Sequence, residues 1–317
     1  MDLNTVVEVC DARSHTEWRE GDAWLGGGTY LFSEPQPHLR RLVDLSRTGW
    51  QPLARTADGG LEIAATCTIA QLSRYAAASA ATAAPLFEQC CRAFLASWKI
   101  WNMATVGGNL CNALPAGPMI SLTAALDGEC LLIARDGRTR TVPAVDFVTG
   151  PGRTVLGRGE LLRSVTLPAR ALAARTGFRQ ASLYGLGRSG VLVIGTLGAG
   201  SGNVGADAPG TEPPGAGGAD TPGADTAGAD TAGAGCGFAL NVTASTVRPF
   251  QLRFARLPGA EELRAAVERE IAPVAYYDDI HGLPAWRRHM TARLAEEIRR
   301  DFDDPHDRHD RTGGTVR

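Results

Sequence analysis

Apolar and polar positions follow two rhythms along the chain. Short apolar runs at Leu42-Val-Asp-Leu45, Leu61-Glu-Ile-Ala-Ala65, Cys130-Leu-Leu-Ile133 and Val165-Thr-Leu167 predict strands. Thr68-Ile-Ala-Gln71 has the spacing of a capping box and predicts a helix through the mid-70s. From Pro85 to Trp98 the apolar residues Leu86, Phe87, Cys90, Cys91, Phe94, Leu95 and Trp98 recur at helical spacing and predict a second helix. Near the C-terminus Trp286, Met290, Leu294 and Ile298 line one face of a helix that carries Arg and Glu on the other. The elements do not alternate as strict βαβα units, so the pattern predicts an α+β chain of two or three subdomains.

One stretch has neither rhythm. From Gly198 to Gly237 the chain is nearly all Gly, Ala, Asp, Thr and Pro, and a five-residue unit recurs at Gly218–Pro222, Gly223–Ala227 and Gly228–Ala232. With so little to bury, this segment is expected to be a disordered insert. The polar tail 303–317 is expected to fray in the same way, with His306 and His309 solvated.

Composition narrows the function classes. The 317 residues are 44% hydrophobic and 21% charged with a formal net charge of −2, which fits a globular chain and gives no support to a nucleic-acid partner. No apolar run approaches the roughly 18 residues that mark a membrane span. The opening Met1-Asp2-Leu3-Asn4 has neither a basic start nor an apolar stretch, so a cytoplasmic location is expected. The seven cysteines are an odd number, which in a cytosolic chain argues against a disulfide framework, and they include no C-x-x-C pair, which argues against a zinc or iron–sulfur site held by this chain alone. No side chain stands out as a nucleophile or general base, and His15, His38, His281 and His289 have no partner pattern.

Two glycine-rich stretches carry the candidate chemistry. In Trp24-Leu25-Gly26-Gly27-Gly28-Thr29-Tyr30-Leu31 an apolar approach runs into three glycines and a hydroxyl. Such a run can turn its successive N–H groups into a nest for phosphate oxygens; an ordinary tight turn is the other reading. It is not G-x-G-x-x-G, and Ser33, Pro35 and Pro37 oppose a following helix, so a nicotinamide-type site is disfavoured. The second stretch, Thr105 to Met119, carries Gly107, Gly108, Asn109, Asn112, Pro115, Gly117 and Pro118. It reads as a long structured loop that binds through backbone N–H groups, or else as a connector between two helices. Two such loops suit one long ligand with a pyrophosphate in its middle.

On these residues the chain resembles the FAD-binding subunits of the molybdenum hydroxylases, the xanthine dehydrogenase and CO dehydrogenase flavoprotein family. Gly26-Gly-Gly-Thr-Tyr-Leu31 is similar to that family's A-G-G-T-x-L, and Trp101-Asn102 through Thr105-Val-Gly-Gly-Asn109 to Pro118 is similar to its R-N-x-x-T-I-G-G-N-x-x-x-A-S-P-x-x-D. Gly159 to Pro168, Phe178-Arg179-Gln-Ala-Ser182 and Asp278-Asp279-Ile-His-Gly282 follow in the family's order. The departures are Trp101, Leu114 and Pro118, where the family has Arg, Ser and Asp.

The resemblance implies a p-cresol methylhydroxylase-type fold. Two α/β subdomains, 1–58 and 59–172, would clasp FAD, and a CO-dehydrogenase-flavoprotein-like α+β domain would span 173–302. By position Trp24, Leu25, Gly26, Gly27, Gly28, Thr29, Tyr30 and Leu31 would hold the pyrophosphate. Thr105, Gly108, Asn109 and Pro118 would line the second wall, Leu95 and Leu162 would pack near the flavin ring, and Arg179 would lie beside the isoalloxazine. No His or Cys stands in a tethering position beside the first loop, so the FAD is expected to be non-covalent. The implied activity is electron transfer from 2Fe-2S clusters on a partner subunit or domain, fed by a molybdenum–pterin large subunit, through FAD to NAD or another acceptor. Two alternatives stay open: an assembly subunit that has lost FAD, prompted by Leu114 and Pro118, and a stand-alone flavoprotein oxidoreductase.

Overall fold

The computed structural model describes residues 3–13, 17–198 and 237–304. All of the expected insert except Gly198 and Gly237, and the tail beyond Asp304, lie outside the described residues.

The chain begins with β1 (Glu8–Asp11), β2 (Asp22–Leu25) and β3 (Arg41–Asp44). They form a parallel sheet in the order β1-β3-β2, with Trp24 opposite Val43. The central strand buries Leu42 and Val43, and it also buries Arg41. Arg41 survives there because its guanidinium meets the Asp22 carboxylate in two parallel bonds, Nε to Oδ1 at 2.9 Å and Nη2 to Oδ2 at 2.6 Å. That pair clamps the start of β2, the strand that delivers the first glycine loop.

Next come β4 (Leu53–Arg55), β5 (Leu61–Ala64), α1 (Ile69–Ala78), α2 (Ala84–Ala93), α3 (Trp98–Trp101), α4 (Val106–Asn112) and α5 (Pro118–Ala125). They are followed by β6 (Glu129–Ile133), β7 (Thr139–Pro143), α6 (Ala144–Phe147), the short pair β8 (Val148–Gly150) and β9 (Arg153–Thr154), β10 (Leu161–Leu167) and α7 (Ala169–Leu172). The second sheet is antiparallel in the order β4-β5-β10-β6-β7. Since β4 pairs with β5, it joins this sheet although it precedes the division expected at residue 58. The capping box is present: Gln71 N donates to Thr68 Oγ1, and Thr68 N donates to Gln71 Oε1.

The helix expected from Pro85 to Trp98 is shorter. It buries Leu86, Phe87, Cys90 and Cys91 as the spacing requires, but it ends at Ala93. Leu95 then takes a left-handed conformation, φ 46°, which redirects the chain into α3 and leaves Leu95 and Trp98 exposed. Every residue of α5 is buried, because the helix packs on α2 and on the strand segments Val191–Leu197 and Phe238–Thr243.

The third sheet consists of β11 (Arg175–Ala181), β12 (Val191–Leu197), β13 (Phe238–Thr243) and β14 (Phe250–Phe254), antiparallel in chain order. Helices α8 (Ala260–Glu270) and α9 (Pro284–Asp303) cover it. Leu197 pairs with Phe238 and Gly198 N donates to Gly237 O at 3.1 Å, so the insert joins two strands that already meet at its base. The expected apolar face of α9 is present in Leu294 and Ile298, but Arg287 is turned inward with it and is only 1% exposed. Its guanidinium donates to the carbonyls of Gly190, Ala244 and Gly282 and to the Asp279 carboxylate, which ties the 279–282 turn and α9 to the ends of two strands of the sheet. No helix among the described residues is long and apolar enough to cross a membrane.

Candidate functional site

The two glycine stretches come together. Strand β2 fixes the entry to the first: Trp24 Nε1 donates to Glu160 O at 3.2 Å, Trp24 packs on Trp18, and Leu45 N donates to Leu25 O at 3.0 Å. After Leu25 the chain leaves the sheet. Gly28 has φ +71°, where a Cβ would press on the Phe32 ring, and its carbonyl accepts from Phe32 N at 2.9 Å. Among the described residues none accepts a hydrogen bond from the N–H groups of Gly26, Gly27, Gly28 or Thr29. Four consecutive free donors around a left-handed glycine form a concave anion nest. Leu31 is half-buried, while Tyr30 and Phe32 stand exposed at its rim.

The second stretch forms the wall behind this nest. A Cβ on Gly27 would collide with the Met103 carbonyl, and one on Gly26 would stand 3.2 Å from Thr105 Oγ1. Thr105 caps α4 by accepting from Gly108 N at 2.9 Å. The rest differs from a long binding loop. Val106 N donates to Cys67 O at 2.8 Å and Gly107 N to Ala65 O at 2.9 Å. The backbone donors expected to face a ligand are spent on docking α4 against the end of β5, and Gly107 is small because Ala65 fills the place of its side chain. Asn109 Oδ1 accepts from Met119 N at 3.0 Å and so caps α5, a task that Gly117 cannot perform. Pro118 is buried at the first turn of that helix and offers no polar group.

The remaining expected residues divide. Leu95 is 45% exposed on the α2–α3 turn. The Leu162 side chain is buried in the core of the second sheet, opposite Leu132 on β6. Arg179 lies on the face of β11 turned to α9, where it pairs with the Asp301 carboxylate and stands 3.5 Å from Glu297 Oε2. The opposite face of β11 carries Phe178, packed on the core of the second sheet. The structure therefore gathers Gly26, Gly27, Gly28 and Thr105, but brings the Arg179 guanidinium to carboxylates. Sequence reasoning missed Met103 and Ala104, whose contribution is main chain and leaves no side-chain signal.

Among the described residues no acid–base pair accompanies the nest. Burial pushes the thiols of Cys67, Cys91 and Cys130 up to about 12, so these cysteines are inert as nucleophiles near neutral pH. The arrangement offers donors that can hold a phosphate-bearing ligand.

Comparison with known proteins gives a family and a fold. Residues 4–170 match the family described as the FAD binding domain in molybdopterin dehydrogenase. Xanthine dehydrogenase 2 of Arabidopsis thaliana is 31% identical over 131 residues, 39% of this chain and 10% of the plant protein. The glyceraldehyde dehydrogenase medium chain of Sulfolobus acidocaldarius is 29% identical over 167 residues, 50% of this chain and 56% of that one. This chain thus spans only part of the relatives that it matches. Among solved structures, reconstituted CO dehydrogenase from Oligotropha carboxidovorans shares the fold at a TM-score of 0.70 and 18% identity, covering 94% of this chain and 97% of that one.

Proposed function

The chain belongs to the family of FAD binding domains of molybdopterin dehydrogenases, and from that premise we propose that it is the flavin-bearing electron-transfer subunit of a molybdenum hydroxylase. The observation that carries this reading is the set of free N–H groups from Gly26 to Thr29 around the left-handed Gly28. These donors would hold the pyrophosphate of a non-covalent FAD. Thr105 and the backbone of Met103 and Ala104 would hold the loop that presents them. The exposed rings of Tyr30 and Phe32 and the Met103 side chain offer apolar surface beside the nest for the flat parts of the cofactor.

When bound, the flavin supplies the two-electron and one-electron redox chemistry that no side chain here provides. The chain's part is to bind, to orient and to set the electrostatics. With no C-x-x-C pair in the sequence, the 2Fe-2S clusters belong to a partner subunit or domain, and a molybdenum–pterin large subunit carries the site that oxidises the organic substrate. NAD or another acceptor takes the electrons from the flavin.

Purification from the native host, with flavin and metal analysis of whatever co-elutes, tests the assignment. The expected result is yellow protein that releases its flavin on acid precipitation, in a complex with molybdenum and iron. Flavin retained in the pellet would contradict the non-covalent reading. A colourless chain within the same complex would mark it as an assembly subunit.

A further inference from the structure

We propose that the open hollow of about 640 Å³ at the end of the second sheet, between the β6–β7 turn and residues 155–160, binds a phosphate dianion at a site separate from the glycine loops. Four arginines line it, Arg135, Arg138, Arg140 and Arg158, against two carboxylates, Asp136 and Glu160. Both carboxylates are already spent. Glu160 takes two parallel bonds from Arg140, at 2.8 and 2.7 Å, and one from Gly157 N at 2.9 Å. Asp136 pairs with Arg138 at 2.6 Å. Among the described residues neither Arg135 nor Arg158 meets a carboxylate, so two guanidinium charges remain uncompensated across the hollow.

The site is shaped as well as charged. Arg140 is held by Glu160 and by the Val155 carbonyl, which leaves its Nη1 undirected at any acceptor among the described residues. Gly159, at φ +73°, lets the Arg135 stem lie across the turn beside Trp18; a Cβ there would stand 2.7 Å from Arg135 Cδ and 2.9 Å from Trp18 Cγ. The N–H groups of Arg158 and Gly159 donate to no acceptor among the described residues. Planar guanidinium forks with adjacent free backbone donors match phosphoryl oxygens, and two uncompensated charges match a dianion better than a monocarboxylate. The volume admits either inorganic phosphate or the phosphomonoester of a nucleotide. Trp24 links the hollow to the glycine loops, through its bond to the Glu160 carbonyl and its packing on Trp18.

Calorimetric titration of the full chain, with and without bound FAD and at constant ionic strength, tests the proposal with inorganic phosphate and with adenosine 5′-monophosphate as probes. One saturable site is expected in both forms, and also in Gly28→Val, whose flavin content is measured separately by absorbance. The Arg135→Gln/Arg158→Gln chain should bind at least about tenfold more weakly, with unchanged melting temperature and flavin content. Tighter binding of the nucleotide identifies a phosphomonoester as the ligand, and equal binding identifies free phosphate. Absence of saturable binding, equal affinity in the double variant, or competition between the probes and FAD would each overturn a separate site.

Discussion

Gly27 lies so close to Met103 that a Cβ on the glycine would fall on the methionine carbonyl oxygen. The first glycine loop therefore rests on the main chain of the α3–α4 corner, and the two stretches are one structure. Gly27→Ala should force them apart. We expect a stability loss of about 1–3 kcal/mol from overpacking, together with loss of FAD, measured by urea melts and flavin absorbance.

Gly28 should respond differently. Its φ of +71° and the nearby Phe32 ring make any side chain strained there, but the three atoms nearest a Cβ belong to the Phe32 and Leu25 side chains and not to backbone. Gly28→Val should lose FAD while the third sheet and its helices stay folded. Full flavin occupancy in this variant would remove the first loop from the site.

Arg179 separates the family resemblance from the structure. A ring-side arginine would raise the flavin potential, so Arg179→Ala would lower it. Paired instead with Asp301 and Glu297, Arg179 should leave flavin content and potential unchanged when replaced. A partly exposed pair of this kind contributes no more than about 1 kcal/mol. A lowered midpoint potential in Arg179→Ala would return the side chain to the ring.

Arg287 is the polar hub of the third sheet. Arg287→Leu leaves the carbonyls of Gly190, Ala244 and Gly282 without their donor and Asp279 without its cation. The expected loss is about 3 kcal/mol, the lower part of the range for broken buried pairs, because water reaches Asp279. Urea denaturation followed through Trp286 fluorescence would register it.

The Arg140 guanidinium holds the Glu160 carboxyl below the usual carboxylate range. A carboxyl that titrates lower in the folded than in the unfolded chain stabilises fully above its unfolded value, about 4.3, and loses that contribution as the pH falls through the folded value. The difference in melting temperature between the native chain and Glu160→Gln should be constant above about pH 5 and shrink below about pH 4. A difference independent of pH would show that the pair adds nothing through ionisation.

Much of the fold was legible residue by residue. The apolar runs at 130–133 and 165–167 lie on strands and those at 42–45 and 61–65 run one residue past theirs, the Thr68–Gln71 box opens α1, and the core face of α9 carries Leu294 and Ile298. These signals are local: strand and helix periods, caps and glycine runs act through neighbours a few residues away, so they can be read along a line. The collinear motifs added the family, and with it the fold.

What the line of residues did not contain was the use to which each polar group is put. The N–H groups of Val106 and Gly107 look identical in sequence to those of Gly27 and Gly28. The first pair is consumed by Cys67 and Ala65, while among the described residues the second pair meets no acceptor. Arg179 and Phe178 are neighbours, yet the two-residue period of β11 sends one to α9 and the other to the core of the second sheet. Arg287 sits among surface arginines in the sequence and is buried because carbonyls from three distant segments converge on it. The chain sets which groups can donate, accept or carry charge; packing of elements far apart in sequence sets which of them are left over for a ligand.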